Sequence, residues 1–291
     1  MNTKTITNAG IEYSLPIVTL MKETGIGTAE YAARTCYDSF ESSENACIVE
    51  YNDVINCEKH SRFPGMLTEI NSIEHSNLLD TLAWTHFHYS ILEHINLTYL
   101  IRGTSRSVLV EHSRHRIQAI SVRSTRYTMG GVVNAFVASQ YGSHPRKDFV
   151  ELVRTLDMFV VKGTAETLEI EQLHAKFKHQ YDLLGAGPFL KLVLSKSALA
   201  DTIWLSEMND PHSIFTALQN AKSKRNVGDA LKWVVTDNWK VDMVVTFNLR
   251  SLKNYFSLRD SGAAFFLIRE LAKAMKNVTS SKYLDLIVKD K

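Results

Sequence analysis

A basic run near the middle of the chain, Arg114-His115-Arg116, holds the side chains best suited to ligand chemistry. Seven residues separate it from Ser124, and Thr125 and Arg126-Tyr127 follow directly. Isolated charges are expensive to bury, so these side chains are poor core material and favour an anionic partner. The guanidinium fork matches phosphate or carboxylate, while the hydroxyls and the tyrosine ring add hydrogen bonds and a stacking surface. The pattern indicates a site for a phosphorylated ligand, and the alternative is a solvated basic face.

A second set of polar side chains lies near the C-terminus, inside an otherwise apolar segment. It combines amides with guanidinium groups and consists of Asn248, Arg250, Asn254 and Arg259. Two arginine-bearing sets in one chain suggest a shared pocket for an anionic ligand. The alternative is that these arginines are ordinary helix-surface charges, since arginine is mostly exposed in proteins.

Histidines are unusually dense in the segment that runs from His86 through His88 to Glu93 and His94. A metal site is one interpretation, but the spacing lacks the HExxH pattern of helical zinc sites. Local hydrogen bonding and contact with a cofactor are the alternatives. We therefore predict no metal site.

The elements around the basic run place it at a junction. Residues 95–102 alternate and are rich in Leu, Thr and Tyr, which predicts a strand, and Gly103-Thr104 predicts a turn. Ser105 is placed to cap a helix that runs through His112. Because residues 118–123 alternate again, we expect extended chain after the basic run, and such junctions commonly carry sites.

Other segments have the periodicity of regular elements. The predicted helices cover residues 31–37, 77–85, 148–163, 165–185, 227–236 and 259–275, and a strand is predicted at 242–249. Gly185 is expected to end its helix. Residues 38–63 are polar with weak periodicity, so we interpret them as a surface excursion.

Composition excludes several classes of protein. With 291 residues, 45% apolar and 22% charged, the chain fits a folded protein with a sizeable core, and a net charge of only +2 argues against a nucleic-acid coat protein. Cys36, Cys47 and Cys57 are odd in number and outside CxxC spacing, so we predict neither a disulfide framework nor a zinc ribbon, and a cytoplasmic location. No leader or membrane-length apolar run is evident.

Four stretches together resemble the flavin-dependent thymidylate synthases. The basic run, the seven-residue gap and the following Ser and Arg-Tyr resemble that family's signature, and residues 248–259 resemble its C-terminal motif. Residues 88–94 are similar to its H-x-S-P-L-E-H element, and residues 33–37 to its A-R-V-S-Y. The four motifs occur in the family's order.

The resemblance implies one domain over residues 1–291, with insertions near 38–77 and 141–215. Its fold is expected to be α/β (α+β), a mixed sheet with surrounding helices. The family forms homotetramers that bind FAD at sites built from several subunits. There, methylenetetrahydrofolate supplies the carbon, NADPH reduces the flavin, and dUMP becomes dTMP without an enzyme nucleophile. The absence of a cysteine beside the basic run agrees with this, because a covalent mechanism would need an activated thiolate.

Site roles are carried over by motif position. The residues expected at FAD are His88, Ser90, Arg114, His115, Arg116, Ile117, Asn248, Arg250 and Asn254. The residues expected at the nucleotide are Glu111, Ser124, Thr125, Arg126, Lys232 and Arg259. Arg259 is the first catalytic candidate, because a fixed cation stabilises charge that develops at the pyrimidine N3, and Ser124 is the second.

The chain departs from the family at positions that face the nucleotide. Glu111 replaces a glutamine and Lys232 replaces a phosphate-binding arginine. The other departures are Cys36, Ile91, Ala119, Ser121, Phe265 and Leu267. An ionised carboxylate only accepts hydrogen bonds, so dCMP or UMP is an alternative acceptor, with methyl or hydroxymethyl transfer. Alternatively, Glu111 pairs with Arg106, His112 or Arg114 and Lys232 holds the phosphate as a point charge, which leaves dUMP as the substrate. A noncatalytic nucleotide- or nucleic-acid-binding protein is a third hypothesis.

Overall fold

The computed structural model describes residues 4–49, 63–195, 199, 205, 207, 208, 210–220 and 227–289. The chain divides into two compact units. The first unit comprises Met1–Leu15, Gly103–Leu109 and Val122–Asp242, and the second comprises Pro16–Arg102, Val110–Ser121 and Met243–Lys291. The single domain over residues 1–291 stays a prediction.

The strands form two sheets. They are β1 Thr5–Asn8, β2 Ile11–Ser14, β3 Ile17–Glu23, β4 Asn96–Ser105, β5 Ala119–Val122 and β6 Lys240–Asn248. Strands β1 and β2 form a hairpin, and the larger sheet has the order β3-β4-β6-β5. The hairpin turns at Ala9 and Gly10, both at positive φ (50° and 78°), as a two-residue turn that matches strand twist requires.

The described helices are α1 Gly27–Tyr37, α2 Phe63–Asn71, α3 Asn77–Trp84, α4 Arg106–His112, α5 Thr125–Ser139, α6 Pro145–Thr155, α7 Gly163–Leu184, α8 Ala186–Val193, α9 Pro211–Asn220, α10 Val227–Leu231, α11 Leu249–Arg259, α12 Phe266–Val278 and α13 Ser281–Ile287. Short 3-10 helices cover Phe40–Ser42, Tyr89–His94 and Lys232–Val234. No described helix has the length and apolar character needed to span a bilayer.

The core of the second unit forms on the larger sheet. Strands β3 and β4 pair in antiparallel register from Ile17 with Arg102 to Glu23 with Leu97. Every second residue of β4 from Leu97 to Ile101 is buried, because successive side chains of a strand point to opposite faces. Helix α12 packs on β3 through a buried apolar stripe that includes Leu271.

The core of the first unit forms around α5, whose residues from Val132 to Ser139 are all buried. Its Phe136 ring lies 5.4 Å from that of Phe177 and 5.6 Å from that of Phe189. Helices α6, α9 and α10 also pack on α5. A helix that is buried nearly all round is typical of a central core element.

Most predicted elements are present, including α1, α3, α4, β4 and β6, and Gly185 ends α7 with a φ of 80°. Three predictions are wrong. Gly103-Thr104 continues β4, the helix predicted at 148–163 ends at Thr155, and residues 260–265 separate α11 from α12. Cys57 lies outside the described residues, while Cys36 and Cys47 are free thiols.

Candidate functional site

The basic run lies in the loop that connects α4 to β5, as the sequence predicts. Ser105 precedes α4, and its Oγ accepts a hydrogen bond from the Val108 amide at 3.1 Å. This cap satisfies an amide that the first turn of a helix leaves free. The loop then presents Arg114 and Arg116 to solvent.

Helix α11 presents the second polar set. Asn248 caps it, because its Oδ1 accepts a hydrogen bond from the Ser251 amide at 2.8 Å. Arg250 and Asn254 follow one helical turn apart, so they share a face of the helix. Asn248 thus orients the helix that carries the other two.

Both sets meet in the second unit around a cavity of about 680 Å³, which we call the arginine cavity. Its lining residues come from three elements and are Glu93, Arg114, His115, Arg116, Ile117, Arg250, Ser251, Asn254, Leu258 and Arg259. The guanidinium groups outnumber the carboxylate of Glu93, so the cavity attracts anions. Glu93, from the 3-10 helix Tyr89–His94, pairs with Arg250.

Three residues predicted at FAD do not line the arginine cavity: Asn248, which caps α11, and His88 and Ser90, which lie elsewhere in the second unit. His88 Nδ1 lies 2.6 Å from the Tyr37 hydroxyl, and both residues line a separate cavity of about 330 Å³. Ser90 is exposed on the same 3-10 helix as Glu93. Among the described residues, no group of three or more His, Cys, Asp or Glu side chains is arranged to hold a metal ion.

Arg259 is held from three directions, and 15% of its side chain is exposed. Its Nε donates to His115 Nε2 at 2.9 Å, and its Nη2 donates to the carbonyl oxygen of Glu111 at 3.2 Å. Its Nη1 pairs with the Glu111 carboxylate at 3.0 Å. That carboxylate also lies 3.3 Å from Arg114 Nη1.

The bond from Arg259 fixes the protonation of His115. Arginine is always protonated, so His115 Nε2 accepts and the ring proton sits on Nδ1. Burial first, then the charges of Arg259 and Arg114, lower the pKa of His115 below its ordinary value. His115 is therefore a neutral acceptor at pH 7.

A second histidine, which the sequence prediction missed, lies behind the loop. His112 is fully buried, and burial lowers its pKa to about 4. Its ring nitrogens contact the Tyr255 hydroxyl at 3.1 Å and Gln118 Oε1 at 2.9 Å. Neither Gln118 nor Tyr255 carried a sequence signal for this role, since each belongs to an ordinary alternating or amphipathic pattern.

The residues predicted at the nucleotide, apart from Glu111 and Arg259, lie in the first unit. Ser124 is the residue before α5, Thr125 is buried, and Lys232 is exposed in the 3-10 helix Lys232–Val234. Arg126 pairs with Asp229 of α10, its Nη2 lying 2.8 Å from Asp229 Oδ2.

Asp242 holds Arg123, the residue directly before Ser124, through both its backbone and its carboxylate. Its carbonyl oxygen accepts from the Arg123 amide at 2.8 Å, and its carboxylate accepts from Arg123 Nη1 at 3.2 Å. The other carboxylate oxygen accepts from the Gly103 amide at 2.8 Å. Asp229 and Asp242 were missed, because an isolated aspartate has no sequence pattern that reveals its partner.

Comparison with known proteins identifies the family. Residues 19–283 match the sequence profile described as thymidylate synthase complementing protein. The chain belongs to this family. The predicted resemblance to the flavin-dependent thymidylate synthases, and with it the predicted enzyme class, is confirmed.

Individual relatives of the family agree. The chain is 27% identical over 258 residues to a flavin-dependent thymidylate synthase of Campylobacter jejuni (strain RM1221), which covers 89% of each chain. It is 25% identical over 259 residues to that of Wolinella succinogenes, covering 89% of this chain and 90% of the relative.

A solved structure shows the same fold. The crystal structure of Thymidylate Synthase X (ThyX) from Helicobacter pylori with FAD and dUMP has a TM-score of 0.56 and 24% identity, over 94% of this chain and 98% of that one. This likeness confirms the predicted α+β fold class.

Proposed function

We propose that the protein is a flavin-dependent thymidylate synthase that methylates dUMP to dTMP. Methylenetetrahydrofolate supplies the carbon and NADPH supplies the reducing equivalents. The observation that carries the proposal is the arginine cavity, where the loop of the basic run and the polar face of α11 meet. These are two of the four motifs that carry the family resemblance.

The donors of the cavity fit FAD. A pyrophosphate is a multiply charged anion, and Arg114, Arg116 and Arg250 offer exposed guanidinium groups that bind phosphate oxygens in pairs. A volume of about 680 Å³ is in the range of small-molecule sites. When bound, the flavin supplies the electron transfer that reduces the one-carbon unit.

Arg259 is the residue that acts on the pyrimidine. Its orientation is set by His115 and Glu111 before substrate arrives, so little reorganisation is needed when negative charge develops at N3. These contacts use three of the five N–H groups of the guanidinium, so two N–H groups remain to meet acceptors on the base. Ser124 positions the nucleotide with its hydroxyl, and Arg126 and Lys232 bind the phosphate.

The identity of residue 111 motivates a second acceptor. A carboxylate only accepts hydrogen bonds, and cytosine offers an amino donor where uracil offers a carbonyl, while a ribonucleotide offers a 2′-hydroxyl donor, so dCMP or UMP is the alternative. The carbon could then remain as methyl or hydroxymethyl. The Glu111 carboxylate is already paired with Arg259 and Arg114, which supports dUMP instead. We rank dUMP first because Ser124, Arg126 and Arg259 all keep the family's residue types.

We also propose a homotetramer, as the resemblance implies, in the cytoplasm, as the cysteine pattern predicts. Ile117 and Ile120 of the second unit are exposed apolar side chains, the first just before and the second on the edge strand β5, and they are suited to a subunit contact. Light scattering should give four times the mass of one chain. A monomer at all concentrations would contradict this proposal.

The decisive experiment separates the acceptors. The protein is incubated with FAD, NADPH and methylenetetrahydrofolate, and with dUMP, dCMP or UMP in separate reactions, and the products are weighed by mass spectrometry. We expect the gain of one methyl group on dUMP. Modification confined to dCMP or UMP would replace dUMP as the substrate, and no FAD binding at all would end the proposal.

A further inference from the structure

The loop from Ser113 to Gln118, which carries the basic run, is closed from behind by a single side chain. We propose that Gln118 and His112 are positioning residues that fix this loop in its binding conformation. His112 lies before the family signature and Gln118 lies in its seven-residue gap, and neither is one of the residues to which the resemblance assigns a role. The proposal rests on the proposed function only for the identity of the ligand, FAD.

Gln118 bridges the two ends of the loop. Its Nε2 donates to the carbonyl oxygen of His112 at 3.1 Å and to that of His115 at 2.7 Å. The His115 amide also donates to the His112 carbonyl, at 3.1 Å. One side-chain amide therefore ties together two backbone carbonyls of the loop, adding a second donor at His112 and a donor at His115.

The orientation of the Gln118 amide follows from these bonds. Because both hydrogens of Nε2 are used on carbonyls, Oε1 faces His112 Nε2 at 2.9 Å and must accept from it. His112 then carries its proton on Nε2, and its Nδ1 accepts from the Tyr255 hydroxyl at 3.1 Å. With a pKa near 4, His112 stays neutral at pH 7 and keeps this donor and acceptor pattern.

Packing ties the chain of bonds to the core. The His112 ring meets Phe247 and Tyr255 edge-on, with centroids 5.6 Å and 5.1 Å away, and all three residues are buried. Tyr255 also contacts the His115 ring at 4.8 Å. A displaced loop would leave buried polar atoms unpaired, which costs more than the bonds themselves contribute.

The inner side of the loop is thus occupied, while its outer side remains open. Arg114, Arg116 and Ile117 project from it and line the arginine cavity, and Arg259 holds His115 at that face. A loop held at both ends loses little conformational entropy when a ligand binds, so this preorganisation increases the affinity for the ligand.

The sharpest test is Gln118→Glu, which preserves the shape of the side chain and replaces its donating amide nitrogen with an accepting oxygen. A carboxylate can accept from His112 but cannot donate to the two carbonyls, so it faces their oxygens unfavourably. The matched control is Gln140→Glu, since Gln140 also donates its amide to a backbone carbonyl, that of Phe136 at 3.4 Å, within the first unit.

Two measurements decide the matter. Hydrogen–deuterium exchange of the ligand-free protein should rise in peptides covering residues 112–118 of Gln118→Glu and nowhere else in the second unit. The Kd for FAD, from fluorescence titration well below the unfolding temperature, should rise at least about tenfold. Gln140→Glu should match the wild type in both.

Unchanged exchange in the loop with FAD affinity within twofold of wild type overturns the proposal. Exchange that rises throughout the second unit overturns it as well, since that is loss of general stability. If the wild type itself binds no FAD, the proposed function fails, while the exchange comparison still tests whether Gln118 holds the loop.

Discussion

Arg259 and Arg126, the two arginines expected to meet the nucleotide, are held in different ways. Arg259 in the second unit is 15% exposed, and three partner groups fix its guanidinium. Arg126 in the first unit is 41% exposed and pairs with Asp229, which is itself 49% exposed. Burial and several partners make a fixed cation, whereas an exposed pair contributes little to stability and exchanges partners easily. We infer that Arg259 is set for the reacting base and Arg126 is available for an incoming phosphate.

Arg259→Lys tests the arginine that is held in a fixed orientation. Lysine keeps the charge but loses the planar fork whose three nitrogens contact His115 and both groups of Glu111, so turnover should fall by about 10² or more with FAD affinity nearly intact. Steady-state kinetics and fluorescence titration measure the two effects. Arg154→Lys on α6 is the control, and an unchanged rate in Arg259→Lys would remove this residue from the catalytic list.

A pH titration should test the loop from Ser113 to Gln118 in the second unit, because its hydrogen bonds depend on neutral His112 and His115. The pKa of His112 is lowered from 6.5 to about 4 in the folded protein. Between these pH values the His112 side chain is protonated in the unfolded chain and neutral in the folded protein. Stability should be full above pH 6.5 and fall towards pH 4, by roughly 3 kcal/mol at 1.36 kcal/mol per pH unit. His115 and Arg259 nearby act in the same direction.

His112→Phe should flatten this dependence when the free energy of unfolding is measured by urea denaturation at several pH values. His144→Phe, at an exposed position of the first unit, should leave the slope as it is in the wild type. The same slope in His112→Phe and wild type would assign the pH dependence to other groups.

Arg114→Ala tests the exposed part of the arginine cavity. A charge-assisted hydrogen bond contributes about 1.5 to 3 kcal/mol, so the Kd for FAD should rise by roughly 10- to 100-fold. Arg146→Ala is a matched control, because Arg146 is 65% exposed, close to the 69% of Arg114, and is likewise paired with a glutamate. Equal FAD affinity in both variants would place the cofactor elsewhere.

The sequence predicted the parts of both regions that depend on local patterns. The Ser105 cap, the helix through His112 and the loop of the basic run follow from residues within a few positions of one another. The end of α6 at Thr155 could not be predicted in this way. The apolar residues that follow suit a helix, but Phe159 and Val161 form bridges with Trp239 and Tyr13, far away in the sequence.

The supporting residues were missed for the same reason. Asp229 lies 103 positions from Arg126, and Tyr255 lies 143 positions from His112. Single polar residues have no periodicity, so only the folded chain reveals their partners. Motifs identify the groups that touch a ligand, while the groups that orient them depend on tertiary contacts.

Asp229→Asn should have the smallest effect on ligand binding, and it tests most directly whether Arg126 is held less firmly than Arg259. Asparagine keeps the shape but removes the charge that competes with phosphate for Arg126, so the Kd for dUMP should fall by up to about fivefold. Isothermal titration calorimetry measures it, and added salt should shrink the difference because exposed pairs are screened. Asp182→Asn, which removes an exposed pair with Lys178 on α7, should leave the Kd unchanged. A tenfold or greater rise in Asp229→Asn would mean that Asp229 orients Arg126, as Glu111 orients Arg259, and that the exposed pair is also a fixed part of the site.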